Sequence, residues 1–233
     1  MTATRFQQSA DDPRLPPRRD SGRRTREPVF NKAAWPVLAL VGSIIGGYAV
    51  QSRVDVDAVA AAFAFTPTDL GTGRWWTLLS SQFLHGGWAH ALMNAAFILA
   101  FGTPVARFLG LRLGGALLFY GFYLASGALA ALGFAAVHAG EAVALIGASG
   151  AASGLMGASA RLIGGYGAVG PILSRPVLSM GAAWLLMNLI IAVFGAALAP
   201  GAGDAAVGWE AHLAGFAAGV LLMGPFGWIA RRG

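Results

Sequence analysis

Residues 146–158 read Ile-Gly-Ala-Ser-Gly-Ala-Ala-Ser-Gly-Leu-Met-Gly-Ala. Nearly every side chain in this run is small, inside a chain that is otherwise strongly apolar. In lipid, small residues at every third or fourth position let a neighbouring helix come very close. A hydroxyl held at such a contact can meet a polar group of that neighbour. The run holds one serine between glycines, in Gly147-Ala148-Ser149-Gly150. A second stretch of the same character, Ala211-His212-Leu213-Ala214-Gly215, surrounds one imidazole with small residues. The expectation is that Ser149 and His212 face each other inside a membrane bundle.

The composition supports that setting. Of 233 residues, 56% are hydrophobic and 11% charged, and the mean hydropathy is +0.63. Soluble domains carry about 25% charged residues. Several uncharged runs reach the ~20 residues that cross a bilayer. The chain therefore reads as an all-α, polytopic membrane protein whose first partner is the lipid bilayer. Cysteine is absent, which excludes disulfides, thiolate metal sites and a cysteine nucleophile. The net charge of +6 sits mostly in the N-terminal tail and short loops. It orients the chain in the membrane and does not read as a nucleic-acid surface.

Residues 1–32 are rich in Arg, Pro and Asp. They cannot bury enough apolar surface to fold alone and are expected to form a disordered, basic cytoplasmic tail. Residues 33–230 are expected to form one six-span domain. The spans fall at about 33–50, 88–104, 113–137, 145–164, 177–198 and 208–229. Between the first two lies a long amphipathic connection, 51–79, whose Trp75 and Trp76 suit the bilayer interface.

The charges test this count. The tail, the second-to-third loop (Arg107, Arg112), the fourth-to-fifth loop (Arg161, Arg175) and the C-terminus hold nearly all the Lys and Arg. The other loops hold only Arg53 and Arg74, against Asp55, Asp57, Asp69, Glu141, Asp204 and Glu210. Positive residues favour the cytoplasmic side, so both termini are placed there, as an even number of spans requires. Ser149, His212, His85 and His90 then fall at similar depth near the outer face.

Polar groups inside spans are costly and mark function. A neutral His212 can take a proton from Ser149 and return it to a leaving amine; taken alone it equally suits a histidine bonded between helices. No acidic residue lies inside a span where it could align the imidazole as a third member. Glu210 is close in sequence but on another helix face. A serine in the first turn of a helix lies beside unpaired N–H groups and the positive dipole end, donors suited to an oxyanion. His90 and Asn94 are four apart and share one helix face. A metal held by His85, His90 and His212 is disfavoured, because five apart is poor helical spacing and no carboxylate is near. Neither a metal nor any other cofactor is expected.

Together the Gly147-Ala148-Ser149-Gly150 segment, the Ala211–Gly215 stretch and His85-x4-His90-x3-Asn94 resemble the rhomboid intramembrane serine proteases in order, spacing and the span that carries each. The resemblance covers about residues 33–230 and the basic six-span form. It implies Ser149 as nucleophile and His212 as general base. It implies His90, Asn94 and the Ser149 backbone N–H as oxyanion donors, with Gly147 and Gly150 flanking the nucleophile. His85 matches a structural histidine, Trp75 and Trp76 a tryptophan-bearing first loop, and Gly215 and Gly219 the glycines that let the sixth helix approach the fourth. Three positions depart from the pattern. Thr77 follows Trp76 where the family often has Arg. Ala106 stands where a glutamate often follows the second span. Ser153 replaces an aromatic that packs on the histidine, and is expected to hydrogen-bond His212 instead.

The resemblance further implies substrates that are single-span membrane proteins, cut in or near the span. It implies a gate between the second and fifth spans with residues 200–207 as a movable cap, and a site opening to the outer face of a bacterial inner (plasma) membrane. The competing readings are an inactive rhomboid-like protein that binds membrane clients, and a small transporter or channel.

Overall fold

A computed structural model describes residues 33–194 and 208–232. The expected basic tail at 1–32 and the expected cap at 200–207 lie outside the described residues. Helix α1, Trp35–Gln51, begins with Pro36 in its first turn, where the missing N–H is no loss. It buries Val37, Leu40 and Ile44 along one face. The amphipathic connection expected at 51–79 is built of short helices. Helix α2, Val56–Phe63, is capped by the Asp55 carboxylate, which accepts from the N–H groups of Asp57 and Ala58. Helix α3, Asp69–Thr72, stops at Gly73 with φ +80°. Helix α4, Thr77–Ser80, runs into a 3-10 turn at Ser81–Phe83.

Arg74 ties this connection together. Its guanidinium donates to the carbonyls of Ala61 and Ala62 at 2.8 and 2.9 Å and pairs with the buried Asp69 at 3.2 Å. Trp75 and Trp76 point outward, more than half exposed, as interface anchors do.

The long helices follow: α5 (Trp88–Leu109), α6 (Leu113–Val137), α7 (Ser149–Gly164), α8 (Arg175–Phe194) and α9 (Trp209–Ala230). Among the described residues, α5, α6, α8 and α9 are long and apolar enough to cross a membrane, and α1 is a shorter apolar helix. These helices make the chain an integral membrane protein. The remaining long helix, α7, is different. It has 16 residues, and every residue from Gly150 to Leu162 is buried. It is the hub of the bundle, in contact with α5, α6, α8 and α9.

Two boundaries move from their expected places. The second apolar segment continues past 104 to Leu109, with Pro104 carried inside the helix; the Thr103 hydroxyl back-bonds to the Leu99 carbonyl at 2.8 Å. The buried Ala106 packs in this extra turn. The helix expected from 145 starts only at Ser149. Gly147 has φ +117°, which a helix does not allow, and Leu145 is paired instead with Phe65 in an antiparallel bridge. Ser149 is thereby the first helical residue.

The α7–α9 seam is made by glycine. A Cβ on Gly215 would strike the Gly150 carbonyl, one on Gly219 the Gly154 carbonyl, and one on Gly157 the Phe216 carbonyl. Backbone lies on backbone, the contact that substitutes for hydrophobic burial between helices in lipid. The seam brings the first turn of α9 against the first turn of α7.

Candidate active site

Ser149 at the start of α7 and His212 in the first turn of α9 meet across that seam. Ser149 Oγ is 2.8 Å from His212 Nε2, and the imidazole is buried at 8% exposure. The other ring nitrogen, Nδ1, is 2.7 Å from Asn188 Oδ1, on α8. The Asn188 amide donates from Nδ2 to the Trp184 carbonyl one turn earlier at 2.8 Å. The Trp184 ring lies 5.7 Å from the imidazole at 38°. Among the described residues, His212 is thus held by hydrogen bonds and packing, without a carboxylate. Glu210, as expected, turns elsewhere: its Oε1 is 3.3 Å from His138 Nε2.

Ser153 does not reach the histidine. Its hydroxyl donates to the Ser149 carbonyl at 2.8 Å, the ordinary back-bond of a serine within a helix. The place above the imidazole is taken by Trp184 from α8.

His90 and Asn94 project from α5 toward the loop before Ser149. The Gly86 N–H donates to His90 Nδ1 at 3.3 Å, so in the neutral ring the proton is on Nε2. That Nε2 faces Gly147: a Cβ there would lie 2.8 Å from His90 Nε2 and 3.6 Å from Asn94 Nδ2. Asn94 Nδ2 is buried with no hydrogen-bond partner among the described residues. Two side-chain donors and the N-terminal N–H groups of α7 therefore border the same loop. Gly147 leaves the space between them open. Gly150 is required for another reason, since a Cβ there would lie 2.7 Å from the Ala130 methyl.

His85 is fully buried in front of α5. The Gln51 side chain grips its backbone, donating to the His85 carbonyl at 2.8 Å and accepting from its N–H at 3.1 Å. Its ring stands edge-on to His90 with centroids 5.1 Å apart. Among the described residues, no three His, Asp or Glu side chains gather in a metal-ligating group. Beside Ser149 lies a cavity of about 10 Å³ lined by Ser81, Gln82, Gly147 and Ala211 among others, room for about one water.

The residues missed in the sequence are Asn188, Trp184 and Gln51. Asn188 carries a signal: it is a polar residue inside an apolar span, the same mark that singles out His212. Trp184 and Gln51 carry none, because their roles exist only once α8 and α1 are docked.

A serine at a helix start, an imidazole across a glycine seam, and two donors from a third helix make a compact polar site in a bundle of apolar helices. Comparison with curated proteins finds no match to the chain. A family model described as the Rhomboid domain matches residues 72–229, a stretch that contains each of these groups, and the chain belongs to the rhomboid family.

Proposed function

We propose that the chain is an active intramembrane serine endopeptidase that works through a Ser149–His212 dyad. The observation that carries this reading is the 2.8 Å approach of Ser149 Oγ to His212 Nε2. In the reaction, Ser149 Oγ attacks the scissile carbonyl carbon as His212 Nε2 takes the hydroxyl proton. The carbonyl oxygen becomes an oxyanion, met by Asn94 Nδ2, His90 Nε2 and the Ser149 N–H. The C–N bond breaks and His212 returns the proton to the leaving amine, leaving an acyl-enzyme. A water, deprotonated by His212, then hydrolyses the ester and restores Ser149.

The substrate is the span of another membrane protein, one with a single crossing. A helix satisfies its own backbone in lipid, so the cut segment must unwind before a carbonyl reaches Ser149. Lateral entry between α5 and α8 suits this. There the contact is Phe97 against Trp184, with ring centroids 5.5 Å apart. Six helices cross or enter the bilayer, with both termini cytoplasmic and the site toward the outer face of a bacterial inner membrane. Sixteen residues give α7 a length of ~24 Å against a hydrocarbon core of ~30 Å, short enough for Ser149 to begin below the outer surface.

The test is cleavage of a model single-span substrate by the wild type and by Ser149→Ala in proteoliposomes. Loss of cleavage in the variant, with loss of fluorophosphonate labelling, is expected. Cleavage that persists in the variant rejects the dyad. A correctly folded wild type that only binds the substrate favours a client-binding homologue.

A further inference from the structure

We infer that Asn188 is the positioning residue of His212, so that α8 supplies a third member to the site. The inference rests on the protease reading and extends it. The orientation of the amide follows from its two partners. A backbone carbonyl only accepts, so the side of Asn188 that faces Trp184 O at 2.8 Å is the NH2 group. The side that faces His212 Nδ1 at 2.7 Å is therefore Oδ1, which also only accepts. His212 Nδ1 must then carry the ring proton. In the neutral ring this leaves the lone pair on Nε2, pointing at Ser149 Oγ 2.8 Å away. One amide selects the tautomer that can accept the serine proton. The opposite tautomer would present an N–H to Ser149 and be inert as a base.

The placement of Asn188 makes it more than packing. Helix α8 has 20 residues, and only Val177 and Asn188 are buried. A polar amide in an apolar helix is unfavourable unless its hydrogen bonds are met. Here both bonds converge on the histidine and on the carbonyl of the tryptophan that flanks it. The helix that carries Asn188 also carries Trp184, the α8 side of the contact with Phe97. Docking of α8 and alignment of the base are thus one event: movement of α8 away from α5 and α9 withdraws the acceptor from Nδ1.

The experiment uses the full chain in detergent micelles or proteoliposomes, with ¹⁵N-labelled histidine. The chain has four histidines, so the His212 signals are assigned by comparison with His212→Gln. In the wild type, the shifts are expected to show a protonated Nδ1 and an unprotonated Nε2. In Asn188→Leu, of similar shape, the two tautomers are expected to mix. There kcat on a model single-span substrate falls by at least about tenfold, while KM stays within about twofold. Asn188→Asp keeps an acceptor for Nδ1 and, when protonated, a donor for the Trp184 carbonyl. It is expected to recover most of the lost kcat.

An Nε2-protonated ring in the wild type overturns the inference, even if Asn188→Leu does not fold. So does Asn188→Leu with unchanged kcat and unchanged ring shifts, the outcome expected of a helix-docking contact alone. If the wild type cleaves nothing, the protease reading fails, and the ring shifts still decide the role of Asn188.

Discussion

Gly219 of α9 rests against the Gly154 carbonyl of α7, with no room for a Cβ between them. One turn above, Gly215 meets Gly150 in the same way, and at the next step up the seam Ser149 meets His212. The separation of the two helices is therefore set by hydrogen atoms, and the Ser149–His212 distance depends on it.

Gly219→Ala is expected to push α9 outward, because the atom it strikes is backbone and cannot rotate away. Overpacking of this kind destabilises by about 1–3 kcal/mol. A lowered thermal midpoint in detergent, with a parallel loss of fluorophosphonate labelling at Ser149, is the outcome to look for. Gly114, where an added Cβ meets nothing within 4 Å, serves as the control: Gly114→Ala leaves both readouts near wild type.

Asn94 Nδ2 is a buried donor with no hydrogen-bond partner among the described residues; under the proposed function it meets the oxyanion. Asn94→Ala is expected to lower kcat by about 10²–10³-fold, the usual effect of removing one oxyanion donor. Stability should change little, since no bond of that nitrogen within the protein is lost. Single-turnover cleavage alongside a thermal melt checks this; a large drop in midpoint with normal turnover would assign Asn94 to structure.

Much of this site is legible in the chain. Ser149 and His212 stand out because each is a polar group set among small residues in an apolar span. His90 and Asn94 stand out by their four-residue spacing. The start of α7 is hidden, because a hydropathy profile runs through Leu145 and Ile146 without registering the positive φ at Gly147. Ser153 is misread for a related reason: the carbonyl it bonds belongs to its own helix. Arg74 is hidden because Asp69 and the end of α2 become its partners only when the first connection folds on itself.

That connection yields a further prediction. Arg74→Ala would leave the buried Asp69 carboxylate with only the Thr66 N–H at 3.0 Å. It would also release the last carbonyls of α2. A loss of about 1–3 kcal/mol is expected, read as a lower thermal midpoint and as new protease sensitivity between residues 56 and 80. Arg74→Lys, which keeps the charge but cannot bridge both carbonyls and Asp69, should recover only part of it.

His138 caps α6 and joins two carboxylates: Nδ1 is 2.9 Å from Glu141 Oε2 and Nε2 is 3.3 Å from Glu210 Oε1. The bond to Glu141 first, and then Glu210, raise its pKa above the ordinary histidine value, against a partial burial that lowers it. The protonated form is the one the folded state prefers. Its contribution to stability is therefore fully present below about pH 6.5 and lost as pH rises through the higher folded value. The difference in thermal midpoint between wild type and His138→Gln should shrink from pH 6 to pH 9. A difference that grows over that range contradicts the clamp.

The most direct test is fluorophosphonate labelling of the intact protein in membranes, followed by peptide mapping of the adduct. The account predicts one adduct, on Ser149, lost in Ser149→Ala and strongly slowed in His212→Ala. Labelling at another residue, or at Ser149 with a rate indifferent to His212, would contradict it.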